Sequence, residues 1–334
     1  MKKSLILIFA LSFCFSNGFS QQYSKLWKDV NYAGDTMVYH KMDIYLPPTT
    51  VKQTAPFPAV VLIYGSAWLS NKSKGADMNS LGQSLLNAGF AVITPNHRSS
   101  FDAKFPAQMN DIKASIRFLR GNASQYSIDT TFIGITGSSS GGNMAAMAGT
   151  TRSVKTKKLG DITVDIEGKV GAYTSHSSSV DAVVDFFGPT NMLVMDSCGG
   201  TDFIHNDAGS PASLYIGGAI QMNKDKTLLA SPTTYVAANN PPFLIFHGTS
   251  DRVVPYCQSE ILFKALQNAK VASKLFLVPN GQHGPGVHTD TNIKMMTDFF
   301  KAELIQKAAT KVSSVKTGKS VGFKQKSKGK KSSK

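Results

Sequence analysis

The sequence has few cysteines and no clustered metal-binding pattern. Its 334 residues include three cysteines, and neither a C-x-x-C pair nor a close grouping of cysteine with histidine occurs. Protein sites for zinc and related metals depend on such groupings. The sequence therefore predicts no metal site.

Apolar runs long enough to span a membrane comfortably are also missing. The apolar run at residues 5–15 follows two lysines and precedes small residues at 18–20. This order is typical of a secretory signal peptide rather than of a transmembrane helix. We therefore expect residues 1–20 to be cleaved, no transmembrane segment to remain, and the mature protein to be secreted or periplasmic. A lipoprotein cysteine at Cys14 is the alternative, which the bulky Phe13 before it disfavours.

Acidic residues are scarce, and the excess positive charge is concentrated at the C-terminal end. The chain has 36 Lys and Arg against 21 Asp and Glu, whereas the segment from Lys307 onward has ten lysines and no acidic residue. Residues 306–334 lack the apolar surface needed to offset the entropy of ordering, so we expect a disordered basic tail. The tail is compatible with contact to an acidic polymer and equally with simple solvation. No aromatic or groove-reading motif points to nucleic acid.

Short apolar runs alternate with helical patterns through the rest of the chain. Strands are predicted at residues 42–46, 59–64, 90–94, 132–136, 180–187, 243–247 and 274–278, and helices at 81–86, 109–119, 141–149, 259–266 and 291–305. Continuous apolar runs suit parallel strands that are buried on both faces. The alternation predicts an α/β domain over residues 21–305 with a doubly wound, mostly parallel sheet.

Two stretches interrupt this alternation. Residues 151–179 are polar and glycine-rich, which favours a hairpin, and residues 191–230 are irregular. The second stretch follows a strand end, where a small cap over an active site would lie. Neither has a long amphipathic helix with a continuous apolar face. We therefore expect any entrance here to lack a broad apolar face, which suits small water-soluble molecules rather than a lipid interface.

The sharpest signal is a G-x-S-x-G motif at residues 137–141. It follows a predicted strand and precedes a small-residue helix, which is the context of a nucleophile elbow. The strand and helix backbones pass close together at such a turn, so both flanking positions require glycine. Of three consecutive serines, only Ser139 has glycine two residues before and two residues after it. Ser139 is the predicted nucleophile.

A serine nucleophile requires a histidine base and a carboxylate that fixes the tautomer of that histidine. With an elbow of this kind, the acid follows the serine in the chain and the histidine comes last. Asp251 and His283 each follow a predicted strand by a short loop, so they are the predicted acid and base. His288, in the same loop as His283, is the second candidate for the base, and Asp185 is the alternative acid. His247, at a strand end, is assigned to packing.

The developing oxyanion requires backbone N–H donors. One is expected from Ser140, directly after the nucleophile, and others from Ser66 and Ala67 in the loop after the second predicted strand. Trp68, next in this loop, offers a flat face on which sugars or aromatic acyl groups stack, and we predict that it binds substrate.

Two cysteines remain once the signal peptide is removed. Cys198 lies in the expected cap, and Cys257 lies in the loop after Asp251. In an oxidising compartment this pair is compatible with one disulfide, which would tie the cap to the acid-bearing loop. Two separate buried thiols are the alternative.

Several further segments resemble the BD-FAE group of α/β hydrolases, over about residues 27–300. They are Phe105-Pro106-Ala107-Gln108, Asp111-Ile112-Lys113, Ile116-Arg117-Phe118-Leu119-Arg120, Ser231-Pro232-Thr233-Thr234-Tyr235-Val236, Pro241-Pro242-Phe243-Leu244-Ile245, His247-Gly248 with Asp251 and Val254-Pro255, and Gly281-Gln282-His283-Gly284. The chain departs from the group at one place. Where these proteins usually have His-Gly-Gly-Gly-Trp, this chain has Tyr64-Gly65-Ser66-Ala67-Trp68.

The resemblance implies an α/β-hydrolase fold and an esterase for short-acyl or hydroxycinnamoyl esters, often on plant polysaccharides. It places the catalytic roles on Ser139, Asp251 and His283, and the reaction requires no cofactor. We therefore expect a serine carboxylic-ester hydrolase whose partner is a small-molecule or polysaccharide ester. The first alternative is a serine peptidase of the prolyl-oligopeptidase type, which normally carries a large N-terminal propeller. The second is a non-catalytic binding protein of the same fold, which an intact set of Ser, His and Asp disfavours.

Overall fold

An eight-stranded, mostly parallel sheet forms the centre of the protein in the computed structural model, which describes residues 22–321, with side chains as far as residue 311. The predicted signal peptide and residues 322–334 lie outside the described residues. The strands are β1 (Lys25–Asn31), β2 (Lys41–Leu46), β3 (Phe57–Ile63), β4 (Ala91–Pro95), β5 (Ile128–Ser138), β6 (Thr156–Leu159), β7 (Ile162–Asp165), β8 (Ala182–Phe186), β9 (Phe243–Gly248) and β10 (Ser273–Val278).

The helices surround this sheet. They are α1 (Gln83–Asn87), α2 (Ala107–Gly121), α3 (Ser140–Thr150), α4 (Met195–Cys198), α5 (Pro211–Ile216), α6 (Lys224–Leu229), α7 (Cys257–Asn268) and α8 (Asp290–Val321). The strand order is β1-β2-β4-β3-β5-β8-β9-β10, with β1–β2 and β2–β4 antiparallel and the remaining pairs parallel.

Apolar packing on both faces explains this architecture. All seven residues of β3 are buried. Val61 and Ile63 belong to the hydrophobic cluster on one face, and Val60 and Leu62 belong to the cluster on the other. Successive side chains of a strand point to opposite faces, so a continuous apolar run fills two cores at once. The predicted α/β fold with a doubly wound, mostly parallel sheet is confirmed.

The strand β1 is absent from the sequence prediction. It lies at the edge of the sheet, has no fully buried residue, and changes register between Trp27 and Val30. Edge strands commonly carry charged residues and bulges, so β1 lacks the apolar run that reveals a central strand. The other seven strands of this sheet all overlap the predicted ones.

The last helix is longer than the sequence predicts. Helix α8 continues past residue 305 to Val321, so placing the start of a disordered tail at residue 306 is wrong. The added stretch opens with Lys307-Ala308-Ala309, which are strong helix formers, and no glycine or proline interrupts it before Gly318. Lys307 also forms an ion pair with Asp181 beside the sheet.

The polar stretch at residues 151–179 contains the predicted hairpin, formed by β6 and β7. Glu167, which follows this hairpin, ties it to helix α2. Its carboxylate accepts hydrogen bonds from Lys113 Nζ at 3.1 Å and from Arg117 at 2.7 Å. Both basic side chains are almost fully buried, so these charged hydrogen bonds hold the hairpin firmly.

The cap at residues 191–230 consists of the short helices α4, α5 and α6 joined by turns. Two links fasten it to the loop after β9. Cys198 and Cys257 form the predicted disulfide, with 6.1 Å between their Cα atoms. Asp202 forms an ion pair with Arg252 and donates its N–H to the Arg252 carbonyl at 2.9 Å. The loop that bears Asp251 is thereby joined to the cap.

Candidate active site

Ser139 lies at the sharp turn between β5 and α3. Its backbone has φ 58° and ψ −123°, a strained conformation for a residue with a side chain. A Cβ atom on Gly137 would lie 2.5 Å from the Ile63 carbonyl oxygen, and one on Gly141 would collide with the same atom. Glycine is therefore required at both flanking positions, as the motif predicts.

The structure brings Ser139 together with both predicted partners. His283 Nε2 lies 2.9 Å from Ser139 Oγ, and His283 Nδ1 lies 2.7 Å from Asp251 Oδ2. Asp251 follows β9 and His283 follows β10, so neighbouring parallel strands deliver them to one edge of the sheet. This arrangement can move a proton from the serine hydroxyl to an imidazole that a carboxylate orients.

Asp251 is held as a carboxylate. Its Oδ1 accepts hydrogen bonds from the backbone N–H groups of Val253 and Val254, at 2.8 and 2.9 Å. Burial alone would raise the pKa of Asp251, but hydrogen bonds from His247 and His283 outweigh it and hold that pKa well below the ordinary value. Asp251 therefore remains charged beside His283 at neutral pH.

The loop after β3 adopts an unusual backbone at two residues that carry side chains. Ala67 and Trp68 have φ values of 52° and 57°, in the left-handed region that a Cβ disfavours. The Ser66 N–H donates to Ser140 Oγ at 2.9 Å, so a side chain of helix α3 already occupies this predicted oxyanion donor. Ala67 and Ser140 line the same cavity as Ser139.

A cavity of about 510 Å³ opens in front of Ser139. Its walls come from the β3 loop, the cap and the loop after Asp251, and its lining is mostly apolar. Phe203 and Ile204 of the cap are 54% and 74% exposed. The cavity lining is therefore more apolar than the sequence predicts, because two adjacent apolar residues in an irregular segment leave no periodic pattern.

Trp68, the predicted substrate-binding residue, also lines this cavity. Only 3% of its surface is exposed, and Tyr215 of the cap stacks on its ring with a centroid distance of 4.5 Å. One face of the indole is thus covered by protein. Trp68 forms part of the cavity wall rather than a freely exposed platform.

The two alternative residues lie in different surroundings. His288 Nε2 lies 3.2 Å from the hydroxyl oxygen of Ser138, not of Ser139. Burial, together with the neighbouring charge of His283, lowers the pKa of His288 to about 4. Asp185 is fully buried and accepts a hydrogen bond from the Gly188 N–H at 2.9 Å, and among the described residues it makes none to a histidine.

Two contacts in this region are not predicted from the sequence. One is the Ser138–His288 pair, which depends on the path of the loop between β10 and α8. The other involves His247, which is fully buried as predicted but also places Nε2 3.3 Å from Asp251 Oδ2. The separation of four residues between His247 and Asp251 across a tight turn was the available signal for this contact.

The fold and the site together define the class of protein to which this chain belongs. A serine at a strand-to-helix turn, followed by an aspartate and a histidine from later strands of an eight-stranded, mostly parallel sheet, is the arrangement of the α/β hydrolases. Among the residues with described coordinates, no group of side chains suits a metal ion, and no helix has the length and apolar character that crossing a bilayer demands.

The chain belongs to the BD-FAE family, whose model matches residues 42–266. It is similar in structure to a truncated carbohydrate esterase from gut microbiota, with a TM-score of 0.80 and 47% identity over 84% of this chain and 97% of that one. It is also similar to a bifunctional GH43-CE protein of Bacteroides eggerthii, with a TM-score of 0.79 and 49% identity over 83% of this chain and 35% of that one.

Curated relatives are more distant. Esterase LipQ of Mycobacterium tuberculosis is 25% identical over 242 residues, which are 72% of this chain and 53% of LipQ. The chain spans about half the length of the curated relatives it matches. The matched part of this chain is its α/β-hydrolase domain, which is thus similar to proteins named as esterases.

Proposed function

We propose that this protein hydrolyses short-acyl esters of carbohydrates through an acyl-enzyme formed on Ser139. The observation that carries the proposal is the continuous set of contacts from Asp251 through His283 to Ser139, which opens into a cavity of about 510 Å³. The two solved structures that share 47% and 49% identity with this chain are described as a carbohydrate esterase and a GH43-CE protein, which supports a carbohydrate ester as the substrate class.

In the first step, Ser139 Oγ attacks the ester carbonyl carbon while His283 Nε2 takes the hydroxyl proton. The charged Asp251 stabilises the imidazolium that forms. The carbonyl oxygen becomes an oxyanion, which we assign to the N–H groups of Ala67 and Ser140. The Ser66 N–H joins them only if its hydrogen bond to Ser140 Oγ breaks.

Acylation is completed when His283 passes its proton to the leaving alcohol and the carbon–oxygen bond to that alcohol breaks. A water molecule then attacks the acyl-enzyme, and His283 takes a proton from this water. The second tetrahedral intermediate collapses, releases the carboxylic acid and returns the proton to Ser139. His283 thus accepts or donates the proton in each step.

The test is an acyl-chain series on nitrophenyl esters, with acetylated xylan and methyl ferulate alongside. We expect kcat/KM to fall at least about tenfold from acetyl or butyryl to dodecanoyl esters, which corresponds to ~1.4 kcal/mol. The reason is the Ala67 methyl group beside the oxyanion site and the cap that bounds the cavity. Rates that rise with chain length, or that increase sharply when the substrate forms an emulsion, would contradict a short-acyl preference.

We also infer export from the cytoplasm. The Cys198–Cys257 disulfide supports this inference, because such bonds persist mainly in oxidising compartments. N-terminal sequencing of the protein recovered from the periplasm or the medium tests it. We expect the chain to start near Gln21, and an intact Met1 on cytoplasmic protein would contradict export.

A further inference from the structure

The imidazole of one cavity-lining residue has a nitrogen without a hydrogen-bond partner among the residues that the structure describes. His205 of the cap is 8% exposed and lines the same cavity as Ser139. Its Nε2 is buried and makes no hydrogen bond to any residue that the structure describes. Buried polar groups in proteins are nearly always paired. A group that enters the cavity and bonds this nitrogen would therefore gain free energy that an apolar group would not.

The backbone around His205 is fixed in place. Asp196 accepts the N–H of His205 on one carboxylate oxygen at 2.7 Å and the N–H of Asn206 on the other at 2.8 Å. The carbonyl of His205 accepts the Ser210 hydroxyl at 2.7 Å. An imidazole on so constrained a backbone can recognise a ligand at a small entropic cost.

The surroundings of His205 favour a neutral hydroxylated group. Burial lowers the pKa of His205 despite the opposing effects of Asp196 and the Val253 backbone, so the ring is neutral near pH 7. A neutral imidazole offers one donor and one acceptor. Asp207 lines the same cavity and disfavours an anionic ligand, whereas a hydroxyl can donate to a carboxylate or form a hydrogen bond with Nε2.

We propose that His205 Nε2 hydrogen-bonds a hydroxyl group of the ester substrate and thereby selects hydroxylated esters over plain ones. This inference rests on the proposed ester hydrolysis at Ser139. The hydroxyl can belong to the alcohol part of the ester, as in a sugar, or to the acyl part, as in a phenolic cinnamoyl group. The two sources share the same chemistry at Nε2 and are separated by the choice of substrates.

The experiment compares two ratios of kcat/KM in the wild-type protein and in His205→Phe. The first is monoacetylated methyl xyloside over 4-nitrophenyl acetate, and the second is methyl 4-hydroxycinnamate over methyl cinnamate. We expect at least one ratio to fall about tenfold or more in His205→Phe, because a site built to bond a hydroxyl discriminates strongly when the bond is lost. The ratio that falls identifies the alcohol or the acyl part as the source.

Two further variants complete the test. His205→Gln keeps hydrogen-bonding capacity and should restore part of the lost selectivity. His176→Phe makes the same exchange at an exposed histidine outside the cavity and should leave both ratios unchanged. Unchanged ratios in a folded His205→Phe would overturn the inference, as would an equal loss on all four esters. A wild-type protein that cleaves none of the esters would instead reject the proposed function itself.

Discussion

Two serine–histidine pairs lie side by side at the carboxyl edge of the sheet. Ser139 contacts His283 at 2.9 Å, and Ser138 contacts His288 at 3.2 Å. The serines are consecutive, and both histidines come from the loop between β10 and α8. By residue type and distance alone, either pair looks able to perform nucleophilic catalysis.

Their surroundings differ in three respects. His283 contacts the carboxylate of Asp251, whereas His288 has no ion pair with a carboxylate among the residues that the structure describes. Burial lowers the pKa of His288 to about 4, which makes it a poor proton acceptor near neutral pH. Ser139 lines the cavity, but Ser138 is buried at the end of β5.

We infer from this difference that the strained turn and the carboxylate beside the histidine make Ser139, rather than Ser138, the nucleophile. The strained turn projects the Ser139 side chain out of the sheet, while the preceding residue remains within the strand. The carboxylate of Asp251 contacts His283 and does not contact His288. The second pair offers a matched control, because each substitution in one pair has a counterpart in the other.

The largest expected effect separates the two serines. Ser139→Ala should lower kcat by about a million-fold, because the triad acts as a unit, while substrate binding persists. Ser138→Ala should change kcat by less than about tenfold, since it removes only a contact to His288. Steady-state kinetics on nitrophenyl acetate measures both. Near-normal turnover by Ser139→Ala would exclude it as the nucleophile.

The next effect separates the two histidines. His283→Ala should lower kcat by about 10⁴-fold or more, because the serine loses its proton acceptor. His288→Ala removes a neighbour that Asp251 does not contact, and we expect a loss of about tenfold at most. The same assay applies, with circular dichroism to verify folding. If activity survives in His283→Ala and disappears in His288→Ala, the base is His288.

A smaller effect concerns the link between the cap and the acid-bearing loop. Replacing Cys198 and Cys257 by serine should lower the free energy of unfolding by about 2–4 kcal/mol, as measured by denaturant titration. Wild-type protein under reducing conditions is the control and should lose a similar amount. Unreduced, denatured protein that begins at Gln21 should contain no titratable thiol, and two free thiols would reject the bond.

The smallest effect is the pH dependence of kcat/KM. A histidine base must be neutral, so activity is present above its pKa and lost as the pH falls through that value. We therefore expect kcat/KM to be clearly lower at pH 5 than at pH 8. A base at His288, with a pKa of about 4, would keep most of its activity at pH 5. A kcat/KM that stays constant from pH 8 down to pH 5 would thus indicate that His288, and not His283, is the base.

The sequence predicted the fold and the grouping of Ser139, Asp251 and His283 because each depends on a pattern that the sequence displays. Buried strands leave apolar runs, and the elbow requires two glycines at fixed spacing. The edge strand β1 and the Ser138–His288 contact depend instead on sheet position and on loop conformation. The sequence also could not predict that the Ser66 N–H is already bonded. Its partner, Ser140 Oγ, lies 74 positions further along the chain.

The most direct test of the difference between the two pairs is covalent labelling. The wild-type protein is treated with a fluorophosphonate, digested, and analysed by mass spectrometry to locate the modified residue. A serine must be activated by its histidine to react, so we expect one phosphonate on Ser139 and none on Ser138. The same treatment of Ser138→Ala should give full labelling. A label on Ser138, or no label on the active protein, would contradict the account.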